Sequence, residues 1–591
     1  MAGIIGIFEF SKLHKIDNNI ANEMLKATSS IADCRQLKFI DDYIFLGEKR
    51  QNSLVDEKHI SQNEYGDIYA VIYGILYNCP ELRMLLSEKC HIFNSDDDAE
   101  TIVHLYEEFG DRFIGKLEGE FVGVLWDAKK SRLLIFGDHC GSKAVYYSII
   151  GGAIVFGSQI NPILKYPGIK TAPSLKSVIS YLSLSFVPPP NTMFEQIKTM
   201  PMGKYLSVNK NGIKTNDHYL EKDKAEIYGN LNVEHTFETL IKNAIKKAVF
   251  RLPKSKLCIF LSGGMDSTYI AAACQNLGIT PTAYHVNFPE DKSAAKAEEI
   301  ASTLGLEYEN IEVSDDILYS YPSHIKKVGV PPENLLADIF GASFQDKVKK
   351  SKFALTGLFA EETLLSWNYG IYKFFPYLRN RFLRSIVNSH RLDMLPDYVE
   401  KFIFLAGSES LAEAVFRITL RPYWHVNISA SKLLRPLNQN LAAAYNASSI
   451  SRQINIYTTV RCMQNSITAN SHLLLCPYLD SQVINSTEKI LVPKYIFGNK
   501  PILKALLKKN KITNMHRDSP EAVKAFYSRN KQLIAERAEG IVKRDYPDYI
   551  KKAFLKAYKL NSLNSKYDFF KLEILGRFFS LETWNKILSD N

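Results

Sequence analysis

A glycine-rich turn carries the strongest chemical signal in this sequence of 591 residues. The run LSGGMDS at 261–267 lies between a buried-strand pattern at 256–261 and a helix pattern at 268–277. Two glycines let backbone N–H groups approach an anion, two serine hydroxyls add donors, and the following helix presents its N-terminus. Asp266 would repel a phosphate unless Mg²⁺ bridged the two groups. The run therefore predicts a site for a magnesium-bound nucleotide, although it lacks the Gly-Lys-Ser/Thr ending of a Walker A loop.

The elements that must position this turn alternate between strand and helix. After residue 233, helix patterns at 235–250, 268–277 and 294–304 separate strand patterns at 256–261, 282–288 and 308–313. Such alternation predicts a parallel sheet with helices on both faces, reached by right-handed crossovers. Beyond residue 370 the chain is mainly helical.

The preceding part of the chain has a different pattern. The first 165 residues are rich in strands, and a strand pair at 203–209 and 213–218 closes this part. A polar, charged stretch follows. We therefore predict a first domain over 1–218, a linker over 219–232 and a second domain over 233–591.

Composition limits the classes of partner. Lys plus Arg number 73 and Asp plus Glu number 63, giving a net charge of +10. The densest basic run, at 504–511, has leucines at helical spacing and no interleaved aromatic residues, so it predicts a solvated helix face and no nucleic-acid partner. The 8 cysteines form no CxxC pair, and no apolar stretch is long enough to span a membrane. These features predict a cytoplasmic protein with reduced thiols.

The run SGGMDS resembles the pyrophosphate loop of N-type ATP pyrophosphatases, and the first domain resembles the class II glutamine amidotransferase domain of asparagine synthetase B. The resemblance covers nearly the whole chain. It implies an α/β fold, with an N-terminal Ntn-type α/β/β/α amidotransferase-like domain followed by an α/β parallel-sheet ATP pyrophosphatase (PP-loop) domain whose C-terminal part is helical. The other segments that carry it are Arg50, Gly74, 77–78, Asp98, Glu100, 117–121, 126–127, 138–143, 146–147, 156–158, 356–362 and 477–480.

The first domain departs from this family at its reactive positions. Family glutaminases use the thiol of residue 2 as nucleophile, activated by its own α-amine. Here that residue is Ala2, Tyr73 replaces the oxyanion-hole Asn, and Ile75 replaces a glutamine-binding Glu. An engineered change at residue 2 alone would not explain the other two. We therefore predict that glutaminase activity is absent by nature and that this domain is structural or a docking platform. Arg50 and Asp98 are then interpreted as structural ion-pair residues.

The resemblance implies that the second domain activates a carboxylate with ATP, forming an acyl-adenylate and pyrophosphate, before an amine displaces AMP. Relatives without the cysteine include the β-lactam synthetases, the carbapenam synthetases and the lasso peptide cyclases. Leu358, Leu473 and Ser519 occupy positions where lactam-forming members carry Tyr or Glu, Glu, and Lys. The lasso cyclases therefore fit best. In these enzymes the N-terminal amine of a precursor peptide attacks a side-chain Asp or Glu carboxylate.

That family implies a precursor peptide as substrate, with a leader-binding protein and a leader peptidase as partners. The segment 371–455 is rich in arginine and aromatic residues and leaves room for a peptide groove. Two alternatives stay open. One is an ammonia-dependent or small-molecule amide or lactam synthetase, and the other is a non-catalytic scaffold.

The resemblance also assigns site residues for ATP and Mg²⁺. Asp266 and Glu361 are the predicted metal ligands, although the family has Asp where this chain has Glu361. His472 is a candidate base for the attacking amine, with a structural core role as the alternative. Lys500 and Lys524 are candidates for the late catalytic Lys. The predicted nucleotide-binding residues are Leu261, Ser262, Gly263, Gly264, Asp266, Ser267, Val286 and Gly357.

Overall fold

A computed structural model of the chain describes ten stretches of the sequence. The predicted linker at 219–232, Ala2 and residues 371–454 of the arginine-rich segment lie outside them, and so does Ser519. The described ranges are 3–28, 34–51, 60–218, 233–348, 350–363, 455–469, 472–488, 500–513, 520–558 and 568–590.

The first domain contains two antiparallel six-stranded sheets. In spatial order, the first sheet consists of Ile197–Thr199, Tyr146–Ile150, Ala153–Gly157, Gly3–Glu9, Ile44–Gln51 and Cys34–Ile40. The second consists of Gly212–Asp217, Lys204–Asn209, Arg132–Gly137, Gly119–Asp127, Ile68–Leu76 and Ser61–Gln62.

Alternating side chains from both sheets form an apolar core, as expected for facing sheets. Phe8 of the first sheet and Trp126 of the second meet in it, with ring centroids 4.8 Å apart. Helices Cys79–Ser87 and Asp98–Phe109 cover the outer face of the second sheet, and helices Asn18–Ala27 and Leu175–Leu184 pack beyond the first. The result is the predicted four-layer α/β/β/α arrangement.

The second domain is built on a five-stranded parallel sheet, as the alternation of patterns predicts. Its spatial order is Tyr308–Glu312, Thr282–Asn287, Leu257–Phe260, Phe353–Leu355 and Leu473–Leu475. The chain runs outward from Leu257–Phe260 in one direction and then returns to add strands on the other side. The carboxyl ends of Leu257–Phe260 and Phe353–Leu355 therefore form the point where strand order reverses, at which open α/β sheets bind ligands.

Helices surround this sheet and form the C-terminal part. Among the described residues beyond 455, Leu473–Leu475 is the one strand, and no helix there or earlier in the described chain is long and apolar enough to span a membrane. The larger helices are Val233–Val249, Met265–Asn276, Ser293–Thr303, Ile317–Val328, Leu335–Lys347, Arg461–Ala469, Ser481–Glu488, Pro501–Lys509, Pro520–Ala538, Asp548–Tyr558 and Asp568–Ser589.

Candidate active site

A cavity of about 430 Å³ opens at the carboxyl edge of the parallel sheet, where the strand order reverses. The 261–267 turn forms one wall, and residues 356–360 after strand Phe353–Leu355 form another. Aromatic and aliphatic side chains line much of the rest, so the cavity combines apolar surface with the polar and charged groups of the turn, as in many small-molecule sites. The aromatic and aliphatic residues are Phe260, Tyr284, Val286, Phe340 and Met463.

Hydrogen bonds between Ser262 and Ser267 fix the conformation of the glycine turn. The Ser262 backbone N–H donates to Ser267 Oγ at 3.1 Å, and the two serine hydroxyls lie 3.0 Å apart. Gly263 has φ +76°, a conformation that glycine adopts without steric cost. Gly264 precedes helix Met265–Asn276 directly, so the first N–H groups of that helix face the turn. This arrangement offers hydroxyl and backbone donors to a pyrophosphate group.

Two charged side chains meet beside the turn. Lys500 Nζ lies 2.6 Å from Asp266 Oδ2, although 234 residues separate them in the chain. Lys500 immediately precedes helix Pro501–Lys509, and its ammonium is largely buried. A fixed cation here can neutralise charge that develops on phosphate oxygens. The Asp266 carboxylate is the kind of oxygen ligand that Mg²⁺ prefers, so the residues present fit a metal-bound nucleotide.

Three further predicted nucleotide-binding residues also belong to the lining of the cavity. Leu261, Val286 and Gly357 all line the cavity. A Cβ added to Gly357 would lie 2.5 Å from the Ser267 backbone nitrogen, so only glycine permits this close approach. The sequence analysis missed His285, whose Nδ1 lies 2.8 Å from the Leu261 carbonyl and whose Nε2 lies 2.8 Å from Ser293 Oγ. His285 thereby fixes the backbone that leads into the turn.

Phe359 is a second residue that the sequence analysis missed. It adopts φ +74°, and residues 356–362 resemble the TGxGxDE motif of asparagine synthetase B, which has glycine at this position. Its ring is buried and lines the cavity. A bulky residue in the left-handed region costs on the order of 1–3 kcal/mol and persists only where its surroundings enforce it. The conformation could be found only from the motif comparison, where a Phe replaces an expected Gly.

Three other predicted site residues, His472, Lys524 and Glu361, are not among the described residues that line the cavity. His472 is buried elsewhere: its Nε2 lies 3.0 Å from the Val348 carbonyl, and its ring packs edge-on against Phe344. The prediction of His472 as a general base is therefore replaced by the structural interpretation. Lys524 belongs to helix Pro520–Ala538 and does not line the cavity. Glu361 lies in the short helix Ala360–Thr363, but its side chain is outside the described part of the structure.

The Tyr478 hydroxyl contacts the backbone of Asp266, one of the two predicted metal ligands. It donates to the Asp266 carbonyl oxygen at 3.2 Å. Burial raises the pKa of Tyr478 well above its ordinary value, and the Asp266 carboxylate acts in the same direction. Tyr478 therefore remains a neutral donor, and it fixes the first turn of helix Met265–Asn276.

Two of the altered residues of the first domain, Tyr73 and Ile75, face the second domain. The Tyr73 hydroxyl lies 2.8 Å from Thr468 Oγ1, and Ile75 joins the apolar core of the second domain. The cavity beside Tyr73 and Lys143 has a volume of only about 20 Å³, little more than one water molecule needs. Asp98 binds Arg251 of the second domain in an ion pair, which confirms its structural interpretation. The Arg50 side chain lies outside the described part.

Comparison with protein families agrees with this two-part architecture. The glutamine amidotransferase domain family matches residues 1–220, and the asparagine synthase family matches residues 236–511. Residues 1–220 are thus similar to a glutamine amidotransferase domain, and residues 236–511 are similar to an asparagine synthase domain. This combination supports the prediction of asparagine synthetase-like relatives, and it does not distinguish a lasso peptide cyclase from other relatives.

Individual relatives of this asparagine synthetase-like chain are distant. Asparagine synthetase [glutamine-hydrolyzing] 3 of Bacillus subtilis is 27% identical over 279 residues, which cover 46% of this chain and 45% of the relative. Asparagine synthetase [glutamine-hydrolyzing] 1 of the same organism is 26% identical over 388 residues, covering 63% and 60%. Amidase chry2 of Gibberella zeae is 26% identical over 278 residues, covering 44% and 41%. The chain thus spans about half the length of the curated relatives that it matches.

Proposed function

We propose that this chain is an ATP-dependent amide synthetase that forms a C–N bond through an acyl-adenylate. The observation that carries the proposal is the Asp266–Lys500 pair beside the serine- and glycine-rich turn, at the edge of the parallel sheet where the strand order reverses. This is an arrangement suited to a nucleoside triphosphate whose pyrophosphate leaves. ATP supply and reduced thiols are consistent with a cytoplasmic enzyme.

The reaction that fits this site has two steps. A substrate carboxylate oxygen attacks the α-phosphorus of ATP, and the bond from that phosphorus to the pyrophosphate oxygen breaks. An amine nitrogen then attacks the activated carbonyl carbon, AMP leaves, and the nitrogen loses a proton to solvent. Ser262, Ser267 and the helix N-terminus would bind the pyrophosphate, while Lys500 offsets its charge. Mg²⁺, held by Asp266 together with Glu361, would supply further neutralisation of the phosphate oxygens.

The amine is proposed to come from the substrate and not from glutamine. Ala2 cannot act as a nucleophile, and Tyr73 and Ile75 are engaged with the second domain. The cavity of about 20 Å³ beside Tyr73 is too small for a glutamine side chain. We therefore propose a glutaminase-inactive first domain that serves as a structural or docking platform.

The finer proposal is isopeptide formation in a precursor peptide, as in lasso peptide macrocyclisation. An adenylated Asp or Glu side chain would be attacked by the N-terminal amine of the same peptide. Leu358 lines the cavity at the position where lactam-forming relatives carry an acid–base residue, which argues against a small-molecule lactam synthetase. A leader-binding protein and a leader peptidase would be the partners of such an enzyme.

ATP–pyrophosphate exchange tests the adenylation step. We expect the full chain to incorporate labelled pyrophosphate into ATP only when a carboxylate-bearing peptide is present, and we expect Asp266→Asn to lower that rate at least about 100-fold. Asp316→Asn is the matched control, since Asp316 is exposed at the start of helix Ile317–Val328 in the same domain. Equal exchange in the Asp266 variant and the wild type would contradict the proposed chemistry.

Product analysis tests the peptide assignment separately. Synthetic peptides with a free N-terminus and one internal Asp or Glu should lose one water and consume ATP to AMP and pyrophosphate. Peptides with an acetylated N-terminus should be adenylated but not cyclised. Conversion of a free amino acid with added ammonia, and of no peptide, would instead support the small-molecule amide synthetase. Complete absence of exchange with every carboxylate would support the scaffold alternative.

A further inference from the structure

A second group of chemistry-bearing side chains lies on the first domain, away from the residues that line the ATP cavity. His104 and Glu107 are three residues apart in helix Asp98–Phe109, so they share one face of that helix. His91 lies in the turn that follows helix Cys79–Ser87 and reaches the same face. The three residues bring two imidazoles and one carboxylate together, a ligand set typical of zinc and other transition metals and unlike that of Mg²⁺ or Ca²⁺.

The distances match those of a metal site. His91 Nδ1 and His104 Nδ1 are 3.1 Å apart, His104 Nδ1 and Glu107 Oε2 are 3.0 Å apart, and His91 Nδ1 and Glu107 Oε2 are 3.9 Å apart. A point just outside the plane of these three atoms lies about 2.1 Å from each of them, which leaves the other side of the ion open for a fourth ligand. Zinc–nitrogen and zinc–oxygen bonds have lengths of about 2.0–2.2 Å.

Neighbouring groups hold these ligand atoms in place. Asn63 Nδ2 donates to the other oxygen of Glu107, Oε1, at 2.9 Å. The second ring nitrogen of His91 lies 3.4 Å from Glu108 Oε1, and the His104 ring packs edge-on against Phe93. Carboxylate and amide contacts of this kind orient metal-binding imidazoles and carboxylates in known sites. The His91 and Glu107 side chains retain 15% and 20% exposure, which leaves a route for an ion.

We propose that His91, His104 and Glu107 bind one divalent transition-metal ion of the zinc class, with water completing a tetrahedral site. Bound metal would tie the turn after helix Cys79–Ser87 to helix Asp98–Phe109. Since none of these residues lines the ATP cavity, the site is independent of the proposed amide synthesis.

Titration of the chelator-treated full chain with zinc chloride, in the absence of nucleotide, tests this proposal. Isothermal titration calorimetry should show one zinc ion bound to the wild type at this site, and Glu107→Gln should weaken binding about 100-fold or more. His91→Ala should do the same, and because His91 lies in a partly exposed turn the variant should fold. His14→Ala is the matched control, since His14 is exposed on the same domain. Cobalt(II) should give the intense visible absorption of a tetrahedral centre in the wild type and the control only.

Two results would overturn the metal site. One is a wild-type chain that binds no zinc or gives no tetrahedral cobalt spectrum. The other is a zinc stoichiometry and dissociation constant that stay unchanged in Glu107→Gln and His91→Ala. In either case the three residues form a hydrogen-bonded cluster without metal. Far-UV circular dichroism shows whether each variant is folded. If His91→Ala does not fold, the zinc affinity of Glu107→Gln still decides the test.

Discussion

Two residues with unusual backbone conformations meet at the cavity proposed to bind ATP. Phe359 has φ +74° and Lys500 has φ +51°, and both side chains line the cavity. Residues other than glycine rarely adopt this region, and such strain concentrates at functional sites. The backbone of Lys500 directs its ammonium to Asp266, from which it would reach the phosphates of ATP. The strained backbone of Lys500 thus supports its proposed role beside the phosphates.

Substitution of Lys500 separates the two candidates for the late catalytic Lys. We expect Lys500→Gln to lower the rate of ATP–pyrophosphate exchange by about 10²–10³-fold, because one fixed cation beside the leaving pyrophosphate is lost. Lys524→Gln should leave the rate unchanged, since Lys524 does not line the cavity. Lys504→Gln, at an exposed position of the helix that follows Lys500, controls for the change of net charge. If exchange were slow in Lys524→Gln and as fast as wild type in Lys500→Gln, Lys524 would be the catalytic Lys instead.

Local and distant contacts explain which site residues the sequence could predict. The 261–267 turn uses backbone groups and hydroxyls within six residues of each other, so its motif predicts its geometry. Lys500 reaches Asp266 only through the tertiary fold, and the sequence could name it as one of two candidates. His472 lies outside the cavity, and nothing in its local sequence indicates that its ring lies 3.0 Å from the Val348 carbonyl oxygen.

At the scale of elements, the approach of one loop to one helix shapes the cavity. Strand Phe353–Leu355 leads into Thr356 and Gly357, and the backbone of Gly357 lies against the first turn of helix Met265–Asn276. The Leu358 N–H donates to Thr356 Oγ1 at 3.2 Å, and this hydrogen bond stabilises the bend of the loop at residues 356–358. The cavity therefore depends on contact between two backbones.

A single methyl group should disturb that contact. In Gly357→Ala, the new Cβ would meet the Ser267 nitrogen at 2.5 Å and the Asp266 carbonyl carbon at 2.7 Å, so the loop must move. We expect a loss of about 1–3 kcal/mol of stability and an ATP dissociation constant raised at least about tenfold. Thermal unfolding and nucleotide titration measure the two effects. Leu358→Ala is the neighbouring control, and ATP affinity that stays at the wild-type value in Gly357→Ala would contradict this account.

The length of an element decided whether it could be predicted. Strands Thr282–Asn287 and Tyr308–Glu312 lie within one residue of their predicted ends. Strands Phe353–Leu355 and Leu473–Leu475 have three residues each, too few for any periodicity to register, and the sequence analysis missed both. They are strands because the neighbouring parallel strands supply their hydrogen bonds.

At the scale of the whole molecule, the first domain is joined to the second by a buried polar network and a shared core. Glu120 Oε1 accepts hydrogen bonds from the Tyr77 hydroxyl at 2.6 Å and from the Cys476 N–H at 2.7 Å. Ile75, Tyr77 and Cys140 pack in the apolar core of the second domain. Buried polar groups of this kind are costly to separate. The first domain therefore supports the fold of the second whether or not it hydrolyses glutamine.

Glu333 lines a small cavity between the two domains, together with Tyr146 of the first and Arg461 of the second. Burial raises the pKa of Glu333 to about 8. The charge of Arg461 lowers the pKa of Glu333 but offsets the effect of burial only in part. The Arg461 guanidinium donates instead to the Gly141 carbonyl and to Thr199 Oγ1. The folded chain therefore keeps Glu333 protonated at a pH where the unfolded chain, with a pKa near 4.5, has lost that proton.

The pH dependence of stability follows from this difference. A carboxyl group whose folded pKa is raised contributes most below its unfolded pKa, and the contribution is lost as the pH rises through the folded pKa. The contribution of Glu333 should thus fall by up to about 1.4 kcal/mol per pH unit between about pH 5 and pH 8. Glu333→Gln mimics the protonated side chain, so its urea midpoint should decline less over that range than the wild-type midpoint. Glu312→Gln, exposed in strand Tyr308–Glu312, should follow the wild type. Parallel declines in all three proteins would show that Glu333 is already ionised between the domains at neutral pH.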